Sequence, residues 1–516
     1  MKKIFCYISL ALLASSCSKQ LELDNPNVPT IAVYWRNAND AVAGTNAIYN
    51  SLIQDGTYMR MYPALNDGRG DDFYGDSPWG DLVQVGAFII PSTSGPVAWV
   101  WGGHFQIIWR ANQVLANVPG ITMDEELKKR LLGQAYFLRG LAYFNLACMF
   151  KKVPVITTPP ASSEEFFAPT AKEEVLWDQI VNDFKAAKER LPNTYAGISG
   201  VDAGQLGRAT RGGAAGMLGK AYLYRKNWQA AADEFQAIIG GTYGAYSLMA
   251  NYRDNFKEIN ENNAESLFEV QFGQPDQVGG TVMNYGGEPN ANWKQVSSTG
   301  RTYAMDGYGY SDFLPSRWIY NEFKKEATTD GKSDPRLLAT IASYEPGDNA
   351  TTVYGNAWPF AQTAIYPRKY THDGLSWPGN DDQENSGINY RVLRYADVLL
   401  MHAEALNELT RTSEAYPFIQ QVRNRAKLPD LATTKPGLSQ GQMRDQIAHE
   451  RALEFAIESI RINDIIRWGW LYDATKLAEL KTHDNDFTTW KSGKEYLPIP
   501  QAELDTNKYL EPNPAN

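Results

Sequence analysis

The stretch from Ala214 to Ile239 reads AAGMLGKAYLYRKNWQAAADEFQAII. Apolar residues recur every three or four positions on both sides of the polar turn Lys226-Asn227, which is the period of an α-helix. The apolar positions of the first half are Ala214, Leu218, Ala221 and Tyr222, and those of the second are Trp228, Ala231, Ala232, Phe235, Ile238 and Ile239. The stretch therefore predicts two helices that pack against each other.

This helix pair resembles a tetratricopeptide unit, in which small alanines let two helices approach closely and aromatic side chains fill the wedge between them. A similar pair recurs at 390–409 and 413–426. We therefore predict a mainly α fold, with a tetratricopeptide-like scaffold of helical pairs, long irregular loop insertions and a few short strands.

Outward from this pair, the same period predicts further helices at 38–54, 104–118, 127–149, 172–191 and 440–471. Two regions lack a sustained period, about 55–103 and about 243–387, and they are rich in Gly, Asp, Asn and aromatic residues. We expect long loops there, apart from a short strand at 266–271. Long loops in compact domains usually carry function.

Composition limits the classes of function. The chain has 516 residues and a formal net charge of −10, which argues against a nucleic-acid binder because such proteins carry a basic surface. Three cysteines cannot form a disulfide framework. The chain has 14 Trp, 29 Tyr and 20 Phe residues, a surplus that points to a use beyond the core.

The N-terminus is predicted to be a targeting signal. Met1-Lys2-Lys3 is basic, Ile4 to Ala14 is mostly apolar, and small residues precede Cys17. The ending resembles a bacterial lipoprotein signal, with Ala14 where Leu is usual. We predict a signal peptide over 1–16, lipidation of Cys17 with chains such as palmitate, a tether over 17–30, and one domain over 31–516. The alternative is a soluble secreted protein in which Cys17 is incidental.

Several motifs follow one another in the order of a known family. They are Ile108-Trp109-Arg110-Ala111-Asn112, Phe137-Leu138-Arg139-Gly140 with Tyr143-Phe144, Arg394-Tyr395-Ala396-Asp397 with Ala403-Glu404-Ala405, Arg423-x-Arg425-Ala426, and Leu497-Pro498-Ile499-Pro500. The most specific series is Glu450-Arg451, Glu454-Phe455, Glu458, Arg461, Asp464 and Arg467-Trp468-Gly469, with Ser459 where the family usually has Gly. Through these motifs the chain resembles the SusD/RagB-like nutrient-binding lipoproteins of Bacteroidota over essentially its whole length.

The resemblance implies a lipid-anchored protein of the outer membrane that faces the cell exterior. Such proteins act with a TonB-dependent, SusC-like transporter in polysaccharide utilisation: they capture oligosaccharides and pass them on. They are not enzymes, and the resemblance implies neither a cofactor nor a catalytic metal. From the residues alone, the charged series at 450–467 lies three or four positions apart along one helical stripe. It is interpreted as a structural ion network rather than as paired catalytic carboxylates.

Aromatic residues in the irregular regions are the candidate binding residues, because a flat aromatic face suits the C–H face of a sugar ring. Trp99 and Trp101 also match the place where the family carries ligand-binding aromatics, and they would point the same way in an extended segment. The candidate set is Trp79, Trp99, Trp101, Trp293, Trp358, Trp377, Tyr285 and Tyr308, with Asp67, Arg69, Asp71, Asp72, Asn284 and Arg368 as hydrogen-bonding partners.

Two alternatives remain open at this point. A member of the same family that captures peptides would need fewer stacking platforms and more groups that bond a peptide backbone. A glycoside hydrolase would use two of Asp67, Asp71 and Asp72 as acid and base. The best prediction from the sequence is capture of oligosaccharides at the cell surface.

Overall fold

Helices make up most of the computed structural model, which describes residues 34–273, 295–375, 381 and 383–513. The helices, numbered along the chain, are α1 (Ala38–Ser51), α2 (Met61–Asp67), α3 (Gly80–Gly86), α4 (Gly95–Asn117), α5 (Glu125–Phe150), α6 (Glu173–Arg190), α7 (Arg211–Tyr224), α8 (Trp228–Ile239), α9 (Thr299–Tyr303), α10 (Arg317–Phe323), α11 (Pro335–Thr340), α12 (Tyr395–Glu408), α13 (Thr412–Arg425), α14 (Leu431–Thr434), α15 (Gln440–Phe455), α16 (Arg461–Arg467), α17 (Ala474–His483) and α18 (Gln501–Thr506). The predicted mainly α fold is confirmed.

Short strands pair segments of the chain, some of which lie far apart in sequence. They are β1 (Phe73–Gly75), β2 (Ser266–Val270), β3 (Phe313–Pro315), β4 (Ile341–Ser343), β5 (Thr352–Val353), β6 (Asn356–Ala357), β7 (Ile365–Pro367) and β8 (Tyr390–Arg394). The antiparallel pairs are β1 with β3, β2 with β8, β4 with β7, and β5 with β6. The predicted strand at 266–271 is confirmed as β2.

The scaffold is a series of helices in which each packs on the next, from α4 through α8. Helix α8 then packs on α12, and α12 packs on α13, so the chain between 240 and 394 is inserted between two neighbouring helices. Both predicted helix pairs are present. Their small residues bring the helices close: a Cβ atom added at Gly219 of α7 would lie 2.6 Å from the Phe235 ring of α8.

The region 55–103 differs from the prediction of a long loop. It contains a π-helical turn (Asp55–Met59), α2, β1, α3 and the first two turns of α4. Helix α4 begins at Gly95 with Pro96 at its first turn, a position where proline favours a helix start. The Gly and Pro residues that suggested a loop are therefore helix-start signals here, and the apolar period begins nine residues before the predicted start at 104.

Two other predicted helices are interrupted. The segment 390–409 begins as strand β8 before it becomes α12, and the predicted helix 440–471 ends at Phe455 and resumes at Arg461. Between α15 and α16, Ile457 and Ser459 adopt φ values of 58° and 59°. Ser459 therefore has the left-handed backbone conformation that glycine adopts most easily, which explains the family's preference for Gly at this position.

The charged series at 450–467 is buried and paired, as predicted. Glu454 accepts hydrogen bonds from Arg336 (3.2 Å) and Arg394 (2.8 Å), and its carboxylate also contacts Arg425. Arg451 bridges Asp397 and Asp464, at 2.7 Å from each carboxylate. These ion pairs join α11, β8, α13, α15 and α16 inside the protein.

Some predictions concern residues outside the described ranges. They are the signal peptide, Cys17, the tether, Asn284, Tyr285, Trp293 and Trp377. The division of the chain at residues 16 and 30, with one domain over 31–516, stays a prediction. In the described ranges, every helix is too short or too polar to cross a membrane.

Candidate functional site

One side of the protein carries a set of half-buried aromatic rings, which we call the aromatic face. Its members are Trp79, Trp99, Tyr308, Tyr310, Tyr354 and Trp358. They come from three chain segments. Trp79 and Trp99 lie between the end of β1 and the first turns of α4. Tyr308 and Tyr310 follow α9, and Tyr354 and Trp358 belong to the β5–β6 hairpin and the residue after it. Strand β1 pairs with β3, and this pairing brings the first two segments together.

The first pair of rings on the face is Trp79 and Trp99. Their centroids lie 5.8 Å apart with the planes tilted by 55°. Trp79 is fixed by its backbone N–H, which donates to Ser77 Oγ at 3.0 Å, and Trp99 is carried by α4. Both residues are partly accessible, so each keeps surface that a ligand can cover.

Trp101 does not belong to this pair, which corrects the expectation that Trp99 and Trp101 point the same way. Both residues lie in α4, where a separation of two positions turns the side chain by about 200°. Trp101 is 3% exposed and packs edge-on against Phe150, with ring centroids 5.1 Å apart. Its role is core packing.

Arg60 connects the tryptophan pair to the second segment. Its guanidinium carbon lies 5.3 Å from the Trp79 ring and 5.4 Å from the Tyr310 ring. Arg301 covers the Tyr310 ring at 4.2 Å, and the Tyr310 hydroxyl donates to Glu384 at 2.5 Å. The guanidinium groups of Arg60 and Arg301 thus hold the Tyr310 ring in place, and this ring borders Trp79 on the face.

Tyr308 and Tyr354 form the second pair of rings. They stack with centroids 4.3 Å apart and planes 8° from parallel. Trp358 lies in the same apolar cluster and packs edge-on against Phe360, with centroids 5.5 Å apart. The face therefore presents two aromatic pairs and the Trp358 indole, and the second pair and the indole pack on a buried apolar cluster.

Tyr354 was not among the residues that we predicted from the sequence. It occupies the first turn position of the β5–β6 hairpin with φ 46°, followed by Gly355 with φ 76°. A two-residue hairpin loop of this kind needs positive φ at both positions, and a bulky residue there is strained. The strain is offset by the stack on Tyr308 and by the hydroxyl, which donates to Asp381. The signal in the sequence was Tyr-Gly between two short β-prone segments.

Asp67 lies in the interior rather than on the face, which corrects its predicted role as a sugar-binding group. It accepts hydrogen bonds from the Tyr303 hydroxyl (2.7 Å) and from the backbone N–H of Ser459 (2.6 Å). Burial raises the pKa of its carboxyl to about 7, although both hydrogen bonds act in the opposite direction. Asp67 therefore secures the strained turn between α15 and α16.

Arg69, Asp71 and Asp72 are also buried, so their predicted role as sugar-binding groups is corrected as well. Arg69 donates to the carbonyl oxygens of Leu65 (2.9 Å) and Glu495 (2.8 Å). Asp71 is paired with Arg461, whose Nη2 lies 2.7 Å from its carboxylate. Glu495 and Arg461 lie hundreds of positions away in the chain, so local sequence reasoning cannot reveal these two partners.

Arg368 also uses its side chain for contacts within the protein. Its Nε atom lies 2.8 Å from the Asp373 carboxylate, and its Nη1 donates to the Leu338 carbonyl at 2.8 Å. Because Asp67, Asp71 and Asp72 are buried, a catalytic pair of carboxylates built from them would not be accessible to a substrate. The geometry therefore gives no support to the hydrolase alternative.

Cavities also lie elsewhere on the protein. One of about 680 Å³ is lined by Trp318, Trp470, Arg461 and His483 among others. Its rings already have partners: Trp318 stacks on His483 at 4.2 Å, and the Arg461 guanidinium lies 5.1 Å from both Trp318 and Trp470. The aromatic face carries six partly accessible rings from three chain segments, whereas this cavity is lined by two tryptophans, so we place the candidate site on the aromatic face.

Two family models match the chain. One, described as the SusD family, matches residues 264–515, and the other, described as starch-binding and associating with the outer membrane, matches residues 77–223. SusD-like protein P2 of Formosa agariphila is 29% identical and covers 98% of both chains. The starch-binding protein SusD of Bacteroides thetaiotaomicron is 23% identical over 84% of this chain and 81% of its own length.

Solved structures agree with these matches. A SusD superfamily protein from Bacteroides vulgatus superposes with a TM-score of 0.79 at 26% identity, over 94% of this chain and all of that chain. A laminarin-binding SusD-like protein superposes with a TM-score of 0.76 at 28% identity, over 93% of this chain and all of that one. On the evidence of its fold, both family models and these relatives, the chain belongs to the SusD/RagB family.

Proposed function

We propose that this protein is a lipid-anchored, non-catalytic glycan-binding protein of the outer membrane. It captures oligosaccharides at the cell exterior and passes them to a TonB-dependent, SusC-like transporter. The observation that carries the proposal is the aromatic face, where two ring pairs and Trp358 remain partly accessible on a helical scaffold. The names of two relatives, one starch-binding and one laminarin-binding, support the same class of ligand.

The physical basis is stacking of sugar rings on aromatic planes. An indole or phenol ring covers the apolar C–H face of a pyranose, and neighbouring polar groups bond its hydroxyls. The exposed Asn356 side chain, whose amide approaches the Tyr308 hydroxyl at 3.5 Å, lies close enough to the second ring pair to take that role. Few such contacts give modest affinity, which suits a protein that must release its ligand to a partner.

Replacement of single tryptophans tests the proposed site. We expect Trp79→Ala and Trp99→Ala to weaken binding of the best ligand from a panel of laminarin-, starch- and xyloglucan-derived oligosaccharides about tenfold or more. The matched control is Trp109→Ala, which removes a half-buried tryptophan from another side of α4. Calorimetry measures the affinities, and thermal unfolding checks that each variant is folded.

Three results would count against the site or the ligand class. Affinities of Trp79→Ala and Trp99→Ala equal to wild type would remove the site from the aromatic face. An equal loss in Trp109→Ala would show a general effect on folding. Tight binding of peptides in place of oligosaccharides would favour the peptide-capturing alternative, which a parallel peptide panel detects.

The lipid anchor is tested separately. We expect Cys17→Ser to abolish incorporation of an alkyne-labelled palmitate and to release the protein from the outer-membrane fraction. Cys6→Ser, which alters the other cysteine near the N-terminus, is the matched control and keeps both properties. Co-purification of a large outer-membrane transporter with the wild-type protein from detergent extracts tests the proposed partner.

A further inference from the structure

We infer that the aromatic face selects uncharged oligosaccharides and excludes those that carry carboxylate or sulfate groups, through the two exposed carboxylates Asp76 and Asp306. This inference rests on the proposed function, because it concerns the ligand class of the same site.

Two cations that contact rings of the face, Arg60 and Arg301, are already balanced by carboxylates. Arg60 lies 3.5 Å from Asp312, and Arg301 lies 3.1 Å from Glu384. Both guanidinium groups also contact the Tyr310 ring. A cation held between a carboxylate and a ring has its charge compensated, so it offers little net attraction to an anionic sugar.

The two aspartates are the opposite case. Asp76 and Asp306 are exposed, and among the described residues neither forms an ion pair. Asp76 directly follows β1 and lies three positions before Trp79, and its N–H donates to the Asp312 carbonyl at 2.9 Å. Asp306 lies in the turn that carries Tyr308 and Tyr310, and it bridges to Gly309. Each aspartate is therefore a near neighbour along the chain of one ring pair, Asp76 of the pair that contains Trp79 and Asp306 of the pair that contains Tyr308.

Tyr366 shows that both charges act on the second ring group. It packs in the same apolar cluster as Tyr308, Tyr354 and Trp358. Burial raises the pKa of its hydroxyl, and the charges of Asp306 and Asp76 raise it further. Two carboxylates from different chain segments thus act at one point of the face and add negative charge there.

Negative charge at the face discriminates by ligand charge. At physiological salt the screening length is about 8 Å, so a carboxylate or sulfate on a bound sugar would experience both aspartates. An uncharged sugar stacks on the same rings without this repulsion. The formal net charge of the whole chain, −10, adds a weaker repulsion of polyanions at longer distance.

Binding selectivity tests the inference. The probes are uncharged laminarin- and starch-derived oligosaccharides, and oligogalacturonate and a sulfated oligosaccharide as the anionic class, compared by calorimetry at low and moderate salt. We expect wild type to bind an uncharged probe at least about tenfold more tightly than any anionic one. The double variant Asp76→Asn/Asp306→Asn is expected to shift the ratio of anionic to uncharged affinity about three- to tenfold toward the anionic class.

A charge-matched control separates the local effect from net charge. Glu126→Gln/Glu174→Gln removes two exposed carboxylates from the first turns of α5 and α6, outside the chain segments that carry the rings of the face, and leaves the ratio as in wild type. Anionic probes that bind wild type as tightly as uncharged ones, or an unchanged ratio in the Asp76/Asp306 variant, would overturn the inference alone. Failure of every probe of both classes would overturn the proposed function, and this inference with it.

Discussion

At the scale of single residues, Asp71 shows how a buried carboxylate keeps its charge. Burial alone would raise its pKa, but the adjacent Arg461 and His483 outweigh burial and hold it at about 2. The His483 Nδ1 atom lies 2.7 Å from Asp71 Oδ2, the same carboxylate oxygen that Arg461 Nη2 contacts. The group is thus a structural anion that ties α2 and β1 to α16 and α17.

The pH dependence of stability follows from this lowered pKa. In the unfolded chain the carboxyl titrates near 3.8, so its contribution is fully present above that value and is lost as the pH falls toward 2. The difference in free energy of unfolding between wild type and Asp71→Asn is therefore expected to shrink by about 2 kcal/mol as the pH falls from 5 toward 2. Urea unfolding at a series of pH values measures it, and Glu126→Gln gives the reference curve. A constant difference would contradict the assignment.

Trp101 gives a second test at this scale. Because the side chain is 3% exposed and packed on Phe150, Trp101→Ala is expected to lower the free energy of unfolding by about 3–5 kcal/mol. The folded fraction should keep its glycan affinity, since Trp101 does not reach the face. Chemical unfolding and calorimetry separate the two effects, and a stable variant with weakened binding would reverse the roles of Trp99 and Trp101.

At the scale of elements, the close packing of α7 on α8 depends on small residues. A Cβ atom at Gly219 would meet the Phe235 ring at 2.6 Å, whereas at Gly102, on the exposed side of α4, it would meet nothing within 4 Å. Gly219→Ala is therefore expected to cost about 1–3 kcal/mol of stability. Gly102→Ala is expected to add about 0.5–1 kcal/mol through helix propensity. Thermal unfolding compares them, and equal effects would contradict this packing.

The elements also show what a sequence can reveal. Helices α5 to α8 were predictable because each buries one apolar stripe at the helical period. The start of α4 was missed because Gly95, Pro96 and Gly102 suggest a loop, so the relative directions of Trp99 and Trp101 were missed with it. The break between α15 and α16 depends on a hydrogen bond from Ser459 to Asp67, 392 positions earlier. Contacts at that separation leave no local pattern.

At the scale of the whole molecule, the buried ion network connects the scaffold to the inserted region. Burial would raise the pKa of Glu454, but Arg425, Arg394 and Arg336 hold it at about 2. These arginines come from α13, β8 and α11, so one carboxylate joins the insertion to the helical array. The family motifs at 394, 425 and 454 are thus structural, and they say little about the ligand.

Removal of this carboxylate should weaken the molecule as a unit. Glu454→Gln leaves buried guanidinium groups without full compensation, and we expect a cost of about 3–5 kcal/mol. The whole thermal transition should move to lower temperature, without a separate early phase. Glu479→Gln, which alters a surface pair with Lys476, should cost about 1 kcal/mol or less. A split transition in calorimetry would show that the insertion unfolds independently.

The β5–β6 hairpin has a consequence for protein engineering. Val353 is buried against Met305 and Ala342, while Tyr354, Gly355 and Asn356 extend from this base toward the rings of the face. The hairpin is closed by its own two-residue turn, so the exposed side chains of β6 can be exchanged while Tyr354 and Gly355 keep the turn. A library randomised at the exposed positions 356 and 357, with Val353, Tyr354 and Gly355 retained, would therefore diversify the recognised ligand while the helical body supplies a constant, stable framework.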